Sequence, residues 1–396
     1  MKIVQLDIQG FRSLKNVSWR PGDLNVIIGP NGSGKSNLLR MLEMISAAAQ
    51  GRLSRYVQAE GGFVQLLWDG QSKGITSHLR TSAEQKTFSQ SGLAEMRLPP
   101  LLYEIMLINP GADGSYRVQH ELLRHSDKYV TYFSRTGFTV QIFDGEESGN
   151  LRADTISAEE AVLPIVDNPF SPNTETRDFR LKLENWSIYQ DVRVDQSALI
   201  RQAPVSRLEQ RVAPDGQNLI NVLHTLYTRD RQFKQDINDA MSAAFGEDFE
   251  ELTFPPDSGD QRVQMRVRWK TLKRDQSTAD LSDGTLRFLF LITILAIPNP
   301  PPLIAIDEPE TGLHPSMLPI IAEFAVEAST RTQIIFTTHS DRFLDAFRDT
   351  KPTTTVAKWE NGETILRTIS GETLDYWLQE YSLGSLFRSG ELEEME

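Results

Sequence analysis

The sequence predicts an α/β fold with three parts: a strand–loop–helix unit, an antiparallel β subdomain, and a mixed, partly helical lid insertion. The first part follows from an apolar strand, a glycine-rich loop at residues 29–36 and a helical segment at 37–49. The second follows from repeated strand-like runs, separated by turn signals, between residues 61 and 145. The third follows from a helical apolar pattern between residues 219 and 245.

The glycine-rich loop reads Gly-Pro-Asn-Gly-Ser-Gly-Lys-Ser, which fills every position of the phosphate-binding pattern G-x-x-x-x-G-K-[ST]. The flanking strand and helix give the context that this pattern requires, so a chance glycine-rich turn is the weaker alternative. Lys35 is expected to bridge the β- and γ-phosphates, and Ser36 is expected to hold Mg²⁺. Backbone N–H groups of the loop and of the helix N-terminus would bind phosphate oxygens. The predicted nucleotide-binding residues are Asn31, Gly32, Ser33, Gly34, Lys35, Ser36 and Asn37.

An apolar run at residues 303–306 predicts a buried parallel strand that ends in two carboxylates. Open α/β sheets bind ligands at the carboxyl ends of their strands. Asp307 is therefore expected to be a direct or indirect partner of Mg²⁺, and Glu308 to be the base that polarises the attacking water. A strand ending in a solvated acidic turn would be the better interpretation if the loop at 29–36 were absent.

A second strand, Gln333 to Thr338, is followed by His339. A histidine at a strand end can donate a hydrogen bond to charge that develops on a γ-phosphate. The alternative is a capped, half-buried histidine with no role in chemistry. None of the other five histidines stands at a predicted strand end in register with the loop.

Four motifs together resemble one family. GPNGSGKS at 29–36, LSDGT at 281–285, LIAIDEPETGLHP at 303–315 and TTHS at 337–340 are similar to motifs of the ATP-binding-cassette ATPases in the SMC/RecF/OLD branch, especially its small stand-alone members. The opening at 8–14, which contains Gly-Phe-Arg-Ser, and the segment Tyr-Ser-Leu-Gly at 381–384 resemble the same group. The resemblance covers residues 1–50 and 280–396, and it implies an ABC-type P-loop ATPase head. It adds Arg12 to the expected nucleotide-binding residues.

The resemblance implies that two heads form a homodimer with ATP between them. The signature segment of one head would cover the γ-phosphate held by the other, through Ser282 and Gly284. Residues 310–314 would be the D-loop region, which reaches across the same interface. The signature here is LSDGT rather than LSGGQ, and the Asp283 side chain is expected to turn away or to cap the following helix. The family's glutamine loop has no evident counterpart among residues 60–150.

The composition predicts a cytoplasmic protein. The chain has 396 residues, 39% of them hydrophobic and 24% charged, which suits a packed core in more than one lobe. Neither a signal peptide nor a membrane-spanning run is evident. Cysteine is absent, which excludes disulfides, thiolate zinc sites and cysteine nucleophiles.

The formal net charge of −13 argues against a generally basic nucleic-acid-binding protein but leaves room for a local patch. Polar residues alternate with apolar ones at 262–270, so a strand would carry them on one face. We call the cationic members of this face the basic ridge: Arg262, Arg266, Arg268 and Lys270. The basic ridge is a candidate DNA contact. A solvated sheet face is a slightly favoured alternative.

The predicted organisation is an N-terminal ATPase lobe at 1–150, a lid insertion at 151–280 and a C-terminal ATPase lobe at 281–396. The insertion shows no sustained heptads, so a long coiled-coil arm is not expected. The stretch after His339 is too short for a nuclease (Toprim) domain. The other predicted elements are strands at 63–68, 101–108, 116–123, 128–133, 138–143, 353–359 and 363–369, and a helix at 373–380.

These observations predict an ATPase that requires ATP and Mg²⁺ and that dimerises around ATP. Two biological roles remain open. One is DNA maintenance or repair, as the RecF resemblance implies. The other is a switch whose nucleotide state controls a separate effector, such as a nuclease or toxin in antiviral defence. A nucleotide-gated scaffold with negligible hydrolysis is a third possibility.

Overall fold

The computed structural model describes residues 1–85, 97–111, 115–144, 147–150, 156–166, 174–255, 261–347, 350–369 and 381–394. The chain divides into two compact units. Unit 1 comprises Met1–Trp186, Pro301–Leu303 and Thr353–Ser370, and unit 2 comprises Ser187–Pro300, Ile304–Pro352 and Gly371–Glu396. The three-part division predicted from the sequence remains a proposal.

Helices and strands alternate irregularly along the chain. The helices are α1 Lys35–Ala49, α2 Leu53–Ala59, α3 Phe63–Leu66, α4 Leu163–Val166, α5 Thr174–Glu184, α6 Leu219–Arg229, α7 Arg231–Phe245, α8 Asp283–Ala296, α9 Leu318–Ser329, α10 Asp341–Asp345, α11 Leu383–Ser389 and α12 Glu391–Glu394. The strands are β1 Ile3–Phe11, β2 Leu14–Trp19, β3 Leu24–Ile28, β4 Gly74–Thr81, β5 Glu84–Gln85, β6 Arg97–Leu98, β7 Leu101–Ile108, β8 Arg117–His125, β9 Thr131–Thr136, β10 Thr139–Asp144, β11 Glu147–Asn150, β12 Ser187–Tyr189, β13 Phe249–Thr253, β14 Arg266–Trp269, β15 Gln276–Ser277, β16 Leu303–Asp307, β17 Gln333–Thr338, β18 Thr353–Glu360 and β19 Glu363–Ile369.

Unit 1 contains an eight-stranded antiparallel sheet in the order β11-β10-β9-β8-β7-β4-β1-β2. Buried and more exposed positions alternate along β4, which is the pattern of a sheet with one face on the core. The predicted antiparallel subdomain is therefore confirmed.

The remaining strands of unit 1 position the glycine-rich loop. All five residues of β3 are buried, and β3 pairs in parallel with β18, from Asn25 with Thr353 to Ile28 with Val356. Strand β18 forms an antiparallel hairpin with β19. Because β3 is held by a neighbouring strand, the loop that follows it starts from a fixed point.

Unit 2 has its own buried strands. β12, β16 and β17 are neighbours in that order, and β12 runs parallel to β16, with Tyr189 opposite Ile306. Helix α8 is buried on nearly every side, as its apolar sequence predicts. Helices α6 and α7 form the predicted amphipathic pair, and α7 ends at Gly246. A small antiparallel sheet, β13-β14-β15, completes the unit.

Several predicted elements are corrected. Residues 63–68 form helix α3 and the start of a 3-10 turn rather than a strand, and β4 was not predicted. The strand predicted at 262–270 is limited to Arg266–Trp269. The predicted helix at 373–380 lies outside the described residues. In the part of the chain that the structure describes, no helix has the length and apolarity that a membrane span needs.

Candidate functional site

The loop at 29–36 depends on glycines at two points of close approach in unit 1. A Cβ on Gly34 would lie 2.0 Å from Thr364 Oγ1 and 2.5 Å from Ser13 Oγ. A Cβ on Gly29 would lie 2.2 Å from the carbonyl oxygen of Ala357. Gly34 also has a φ of +94°, in the left-handed region that side chains disfavour. The loop conformation therefore requires glycine at these positions.

The N-terminus of α1 follows the loop directly. Gly34 is its N-cap, and no side chain in the described part of the chain caps the helix. The first N–H groups of a helix have no partner within the helix, and the helix dipole favours an anion at this end. The geometry is that of an anion-binding site, with Ser36 and Asn37 in the first turn.

Lys35 lies inside the loop and is only 4% exposed. Its Nζ donates to the carbonyl oxygens of Gly29, at 2.8 Å, and Pro30, at 3.0 Å. The ammonium of the first residue of α1 is thus held by the loop backbone.

The β18–β19 hairpin fixes the loop from the other side. Thr364 Oγ1 lies 2.7 Å from Ser13 Oγ and 2.9 Å from the carbonyl oxygen of Ser33. Asn37 Nδ2 donates to Ser13 Oγ at 2.7 Å. Ser13 therefore links the β1–β2 turn, α1 and the hairpin in one hydrogen-bond network.

A cavity of about 600 Å³ opens beside this network in unit 1. Trp68 forms one wall, donating from Nε1 to the carbonyl oxygen of Gly362, with Lys15 Nζ 4.6 Å from a ring centroid. Trp359 lies across the cavity lining and is exposed. Arg12, predicted to bind nucleotide, also lines it, with its guanidinium paired to Glu60. Aromatic walls and a cation suit a planar, anionic ligand.

The acidic strand end lies in unit 2. Asp307 accepts a hydrogen bond from Thr337 Oγ1, and Glu308 N donates to the carbonyl oxygen of Thr337 at 3.0 Å. Glu308 has a φ of +47°, which costs a residue with a side chain about 1–2 kcal/mol. Such strain is concentrated at functional sites.

Glu308 and His339, each predicted to stand at the end of a strand, contact each other. His339 Nδ1 lies 3.0 Å from Glu308 Oε1. Both side chains are partly exposed, so they can reach a ligand. The tautomer with its hydrogen on Nδ1 would donate to Glu308 and would leave Nε2 on the other side of the ring.

Glu310 is a site residue that sequence reasoning placed only in the D-loop region. Its Oε1 accepts from Thr338 Oγ1 at 2.5 Å and lies 3.8 Å from His339 Nδ1. The side chain is 9% exposed, and its buried Oε2 has no hydrogen-bond partner among the described residues. Burial raises the pKa of Glu310, against the opposing effect of the Thr338 hydrogen bond.

The signature turn begins α8. Ser282 is the N-cap, and its Oγ accepts from Thr285 N at 3.1 Å. A Cβ on Gly284 would lie 2.8 Å from the carbonyl oxygen of Gly312, so this glycine permits close packing on the D-loop region. Asp283 does not cap the helix, which corrects one predicted alternative: its carboxylate pairs with Arg201.

Gln190 is a second residue that sequence reasoning missed. It follows β12 and lines a cavity of about 30 Å³ together with Asp307 and Glu308. It stands at the carboxyl end of β12, which runs parallel to β16. Because β12 has only three residues, its strand pattern was too short to detect.

The basic ridge is partly neutralised by neighbours in unit 2. Arg268 pairs with Glu251 and Asp275, each at 3.1 Å. Arg266 donates to Gln264 Oε1, and Arg262 donates to the carbonyl oxygen of Ala203. Lys270 is exposed.

The predicted magnesium ligands fit the chemistry of that ion. Mg²⁺ prefers oxygen donors and typically takes one or two protein ligands, with water and phosphate oxygens completing the octahedron. Ser36 offers a hydroxyl at the start of α1, and Asp307 offers a carboxylate. Among the described residues, no cluster of three or more His, Asp or Glu could hold a metal by itself. These few oxygen donors suit a Mg²⁺ ion that binds together with a triphosphate.

Comparisons with known proteins place these features in a family. Residues 24–345 match the family model described as "AAA domain, putative AbiEii toxin, Type IV TA system". The OLD nuclease of Thermus scotoductus is 22% identical over 354 residues, covering 87% of this chain and 60% of that protein. The DNA replication and repair protein RecF of Marinomonas sp. is 29% identical over 138 residues, covering 31% of this chain and 37% of that protein. The chain thus spans less than two thirds of the length of either relative.

Solved structures share the fold. An SMC head bound to the C-winged helix domain of ScpA superposes with a TM-score of 0.58 at 15% identity, covering 95% of this chain and all of that one. An SMC head domain with an extended coiled coil, bound to the C-terminal domain of ScpA derived from Pyrococcus furiosus, gives 0.50 at 14% identity, covering 96% and 99%. At this identity the likeness concerns the fold alone.

Proposed function

The chain belongs to the AAA-domain family matched over residues 24–345, as an ABC-type ATPase of the SMC/RecF/OLD branch, and from this premise we propose that it hydrolyses ATP as a homodimer. The observation that carries the proposal is the contact between Glu308 and His339, at 3.0 Å, beside the strained backbone of Glu308. A carboxylate held by an imidazole at a strand end has the chemistry of a general base.

The proposed reaction is attack by water on the γ-phosphorus, which breaks the bond to the β–γ bridging oxygen and yields ADP and phosphate. Glu308 accepts the proton of the attacking water, and Lys35 neutralises charge on the β- and γ-phosphates. His339 keeps Glu308 in place through Nδ1 and offers Nε2 to the γ-phosphate. Mg²⁺, when bound through Ser36 and Asp307, supplies further charge neutralisation.

The remaining predicted residues bind and orient the nucleotide. Backbone N–H groups of residues 31–37 hold the phosphates at the start of α1. The cavity beside Arg12 and Trp68 accepts the base and ribose, since it adjoins the loop through Ser13. Gln190 is the proposed glutamine-loop residue, which reports the state of the nucleotide to the lid.

The proposed homodimer rests on the family resemblance of the signature turn, which stands at the start of α8. Ser282 and Gly284 are proposed to contact the γ-phosphate held by the partner copy, and residues 310–314 to line the same interface. One head would then hold only part of the phosphate cage, so hydrolysis requires two copies.

Phosphate release by a Glu308→Gln variant tests the proposal. We expect the rate to fall by about 10²–10⁴, because the amide cannot take the proton of water. ATP binding should be retained, and ATP-bridged dimers should accumulate in gel filtration with light scattering. Glu323→Gln, an exposed position on α9, is the control and should hydrolyse ATP at the wild-type rate. Wild-type hydrolysis by Glu308→Gln would remove Glu308 from the role of base.

Coupling of ATP hydrolysis to DNA maintenance or repair is the proposed biological role, in line with the RecF relative. A second role, control of a separate effector in defence, is favoured by the family description, which names a toxin system, and by the pairing of Arg268 with two carboxylates. Stimulation of hydrolysis by DNA separates the two roles.

A further inference from the structure

Arg201 is a buried arginine in the 3-10 turn Leu199–Arg201 of unit 2. Its side chain is 2% exposed, and every nitrogen of the guanidinium has a partner. Nε donates to the carbonyl oxygens of Val194, at 2.8 Å, and Asp195, at 3.1 Å. Nη1 donates to the carbonyl oxygen of Leu281 at 2.7 Å, with longer contacts to those of residues 278 and 279. Nη2 pairs with the carboxylate of Asp283.

These bonds join two stretches of the chain that are distant in sequence. One, at 194–195, follows β12 and Gln190; the other, at 278–283, leads into α8 and contains the signature turn. The carbonyl oxygen of Arg201 also accepts from Thr278 Oγ1 at 3.1 Å, so Arg201 both donates hydrogen bonds to the stretch at 278–283 and accepts one from it. A buried guanidinium without partners is strongly disfavoured, so all of these hydrogen bonds must be kept in the folded protein. Because the guanidinium of Arg201 is planar and rigid, keeping them fixes the distance between the two stretches.

The same contacts account for the acidic residue of the signature. Asp283 is 62% exposed and stands between Ser282 and Gly284. A free carboxylate there would repel an anion approaching the N-terminus of α8. The charge of Arg201 offsets that of Asp283, so the turn can present hydroxyl and N–H donors to an anion in spite of the carboxylate.

We propose that Arg201 is a positioning residue for the signature turn, which it holds so that Ser282 and Gly284 can receive the triphosphate bound by a second copy of this chain. This inference rests on the proposed ATP-bridged homodimer. It implies a division of effects: loss of Arg201 weakens the dimer, while nucleotide binding by the loop at 29–36 is unchanged.

The test uses the full chain carrying Glu308→Gln, with Arg201→Lys added. Lysine keeps the charge but lacks the fork, so it cannot bond Leu281, Asp283 and residues 194–195 together. Sedimentation with Mg-ATP should show a dimer dissociation constant raised about tenfold, the effect of losing a bond to a charged group. Titration with a fluorescent ATP analogue should give an affinity within about twofold of the parent. Arg231→Lys, an exposed position on α7, is the matched control and should change neither value.

Asp283→Ala keeps the test valid if Arg201→Lys lowers the melting temperature below that of the assay. Its exposed site tolerates substitution, and removal of one partner of Arg201 should weaken the dimer about threefold, as expected for a partly exposed ion pair. In an Arg201→Met background, where the carboxylate is uncompensated, Asp283→Ala should instead restore part of the lost dimer.

The outcomes separate this inference from the proposed function. Absence of a Mg-ATP dimer in the Glu308→Gln parent overturns the proposed function. A parent dimer that is equally tight with Arg201→Lys, and with Asp283→Ala, overturns the role of Arg201 alone. An equal loss of ATP affinity and dimer affinity also overturns it, because it shows a general structural effect rather than positioning of the signature turn.

Discussion

Glu310 shows how burial of one carboxyl group can hold a catalytic candidate in place. Its Oε1 accepts from Thr338 Oγ1 and lies 3.4 Å from His339 N, so the end of β17 is tied to the D-loop region. Burial raises the pKa of Glu310 above its ordinary value of 4.5. The charged form is therefore disfavoured in the folded protein. In the protonated form, Oε2 can carry the hydrogen while Oε1 keeps its contacts with Thr338 and His339.

The sign of this shift predicts a pH dependence of stability. A carboxyl whose pKa is raised by folding contributes stability that is fully present below pH 4.5 and is lost as the pH rises through the raised value. Glu310→Gln keeps an acceptor for Thr338 but cannot ionise. Relative to wild type, the melting temperature of Glu310→Gln should therefore increase from pH 4.5 upward and then level off. Differential scanning fluorimetry across that range checks it; a difference that is constant with pH would contradict it.

At the residue scale, motif positions were predictable and their partners were not. Apolar runs in the sequence mark the two strands that precede Glu308 and His339, but the contact between these side chains is seen only in the structure. The pairing of Asp283 with Arg201 joins residues that are 82 positions apart, and nothing local in the sequence indicates it. Gln190 escaped notice because a three-residue strand has no measurable period.

At the scale of the elements, the phosphate-binding loop contains two glycines that differ in the space around them. Gly32 and Gly34 both have positive φ values, of +82° and +94°. Among the residues that the structure describes, none has an atom within 4 Å of a Cβ built on Gly32, whereas a Cβ on Gly34 would overlap Thr364 Oγ1 and Ser13 Oγ. Both positions carry backbone strain on substitution, but only Gly34 adds a steric conflict with the β18–β19 hairpin.

This difference predicts the ranking of two matched variants. Gly32→Ala should lower the free energy of unfolding by about 1–2 kcal/mol, the cost of a left-handed alanine. Gly34→Ala should lower it by more, because the hairpin must also move, and should weaken nucleotide binding at least tenfold. Urea unfolding and titration with a fluorescent ATP analogue measure both quantities. Equal effects of the two alanines would show that the hairpin does not constrain the loop.

Element prediction succeeded where the pattern was long and failed where it was short. Strand β7 matches its predicted bounds, 101–108, because eight residues of largely apolar sequence lie between clear turn signals. Residues 63–66 were assigned to a strand but form a helix, in which Phe63 and Leu66, three residues apart, are buried. A short apolar run fits either structure, and only packing decides between them.

At the scale of the whole molecule, charge limits how DNA could be bound. A net charge of −13 repels a polyanion overall, so any DNA contact must be local. Arg266 and Arg268 project from the same strand, β14, and Arg268 is already paired with Glu251 and Asp275. DNA would have to compete with those carboxylates, which favours a weak contact that acts on ATP turnover rather than a tight complex.

The proposed DNA role therefore predicts stimulation with a shallow salt dependence. Duplex DNA should raise the rate of phosphate release, and the double variant Arg266→Ala and Arg268→Ala should abolish the increase while leaving the basal rate unchanged. Each phosphate contact that is lost should reduce the slope of log affinity against log salt by about 1, so the two arginines account for about 2. The exposed pair Arg229→Ala and Arg231→Ala, at the α6–α7 junction, is the control. Stimulation that survives loss of the ridge arginines would place the DNA contact elsewhere, and no stimulation by any DNA would favour the effector role, because the ATPase would then need a protein partner to couple its dimer to an output.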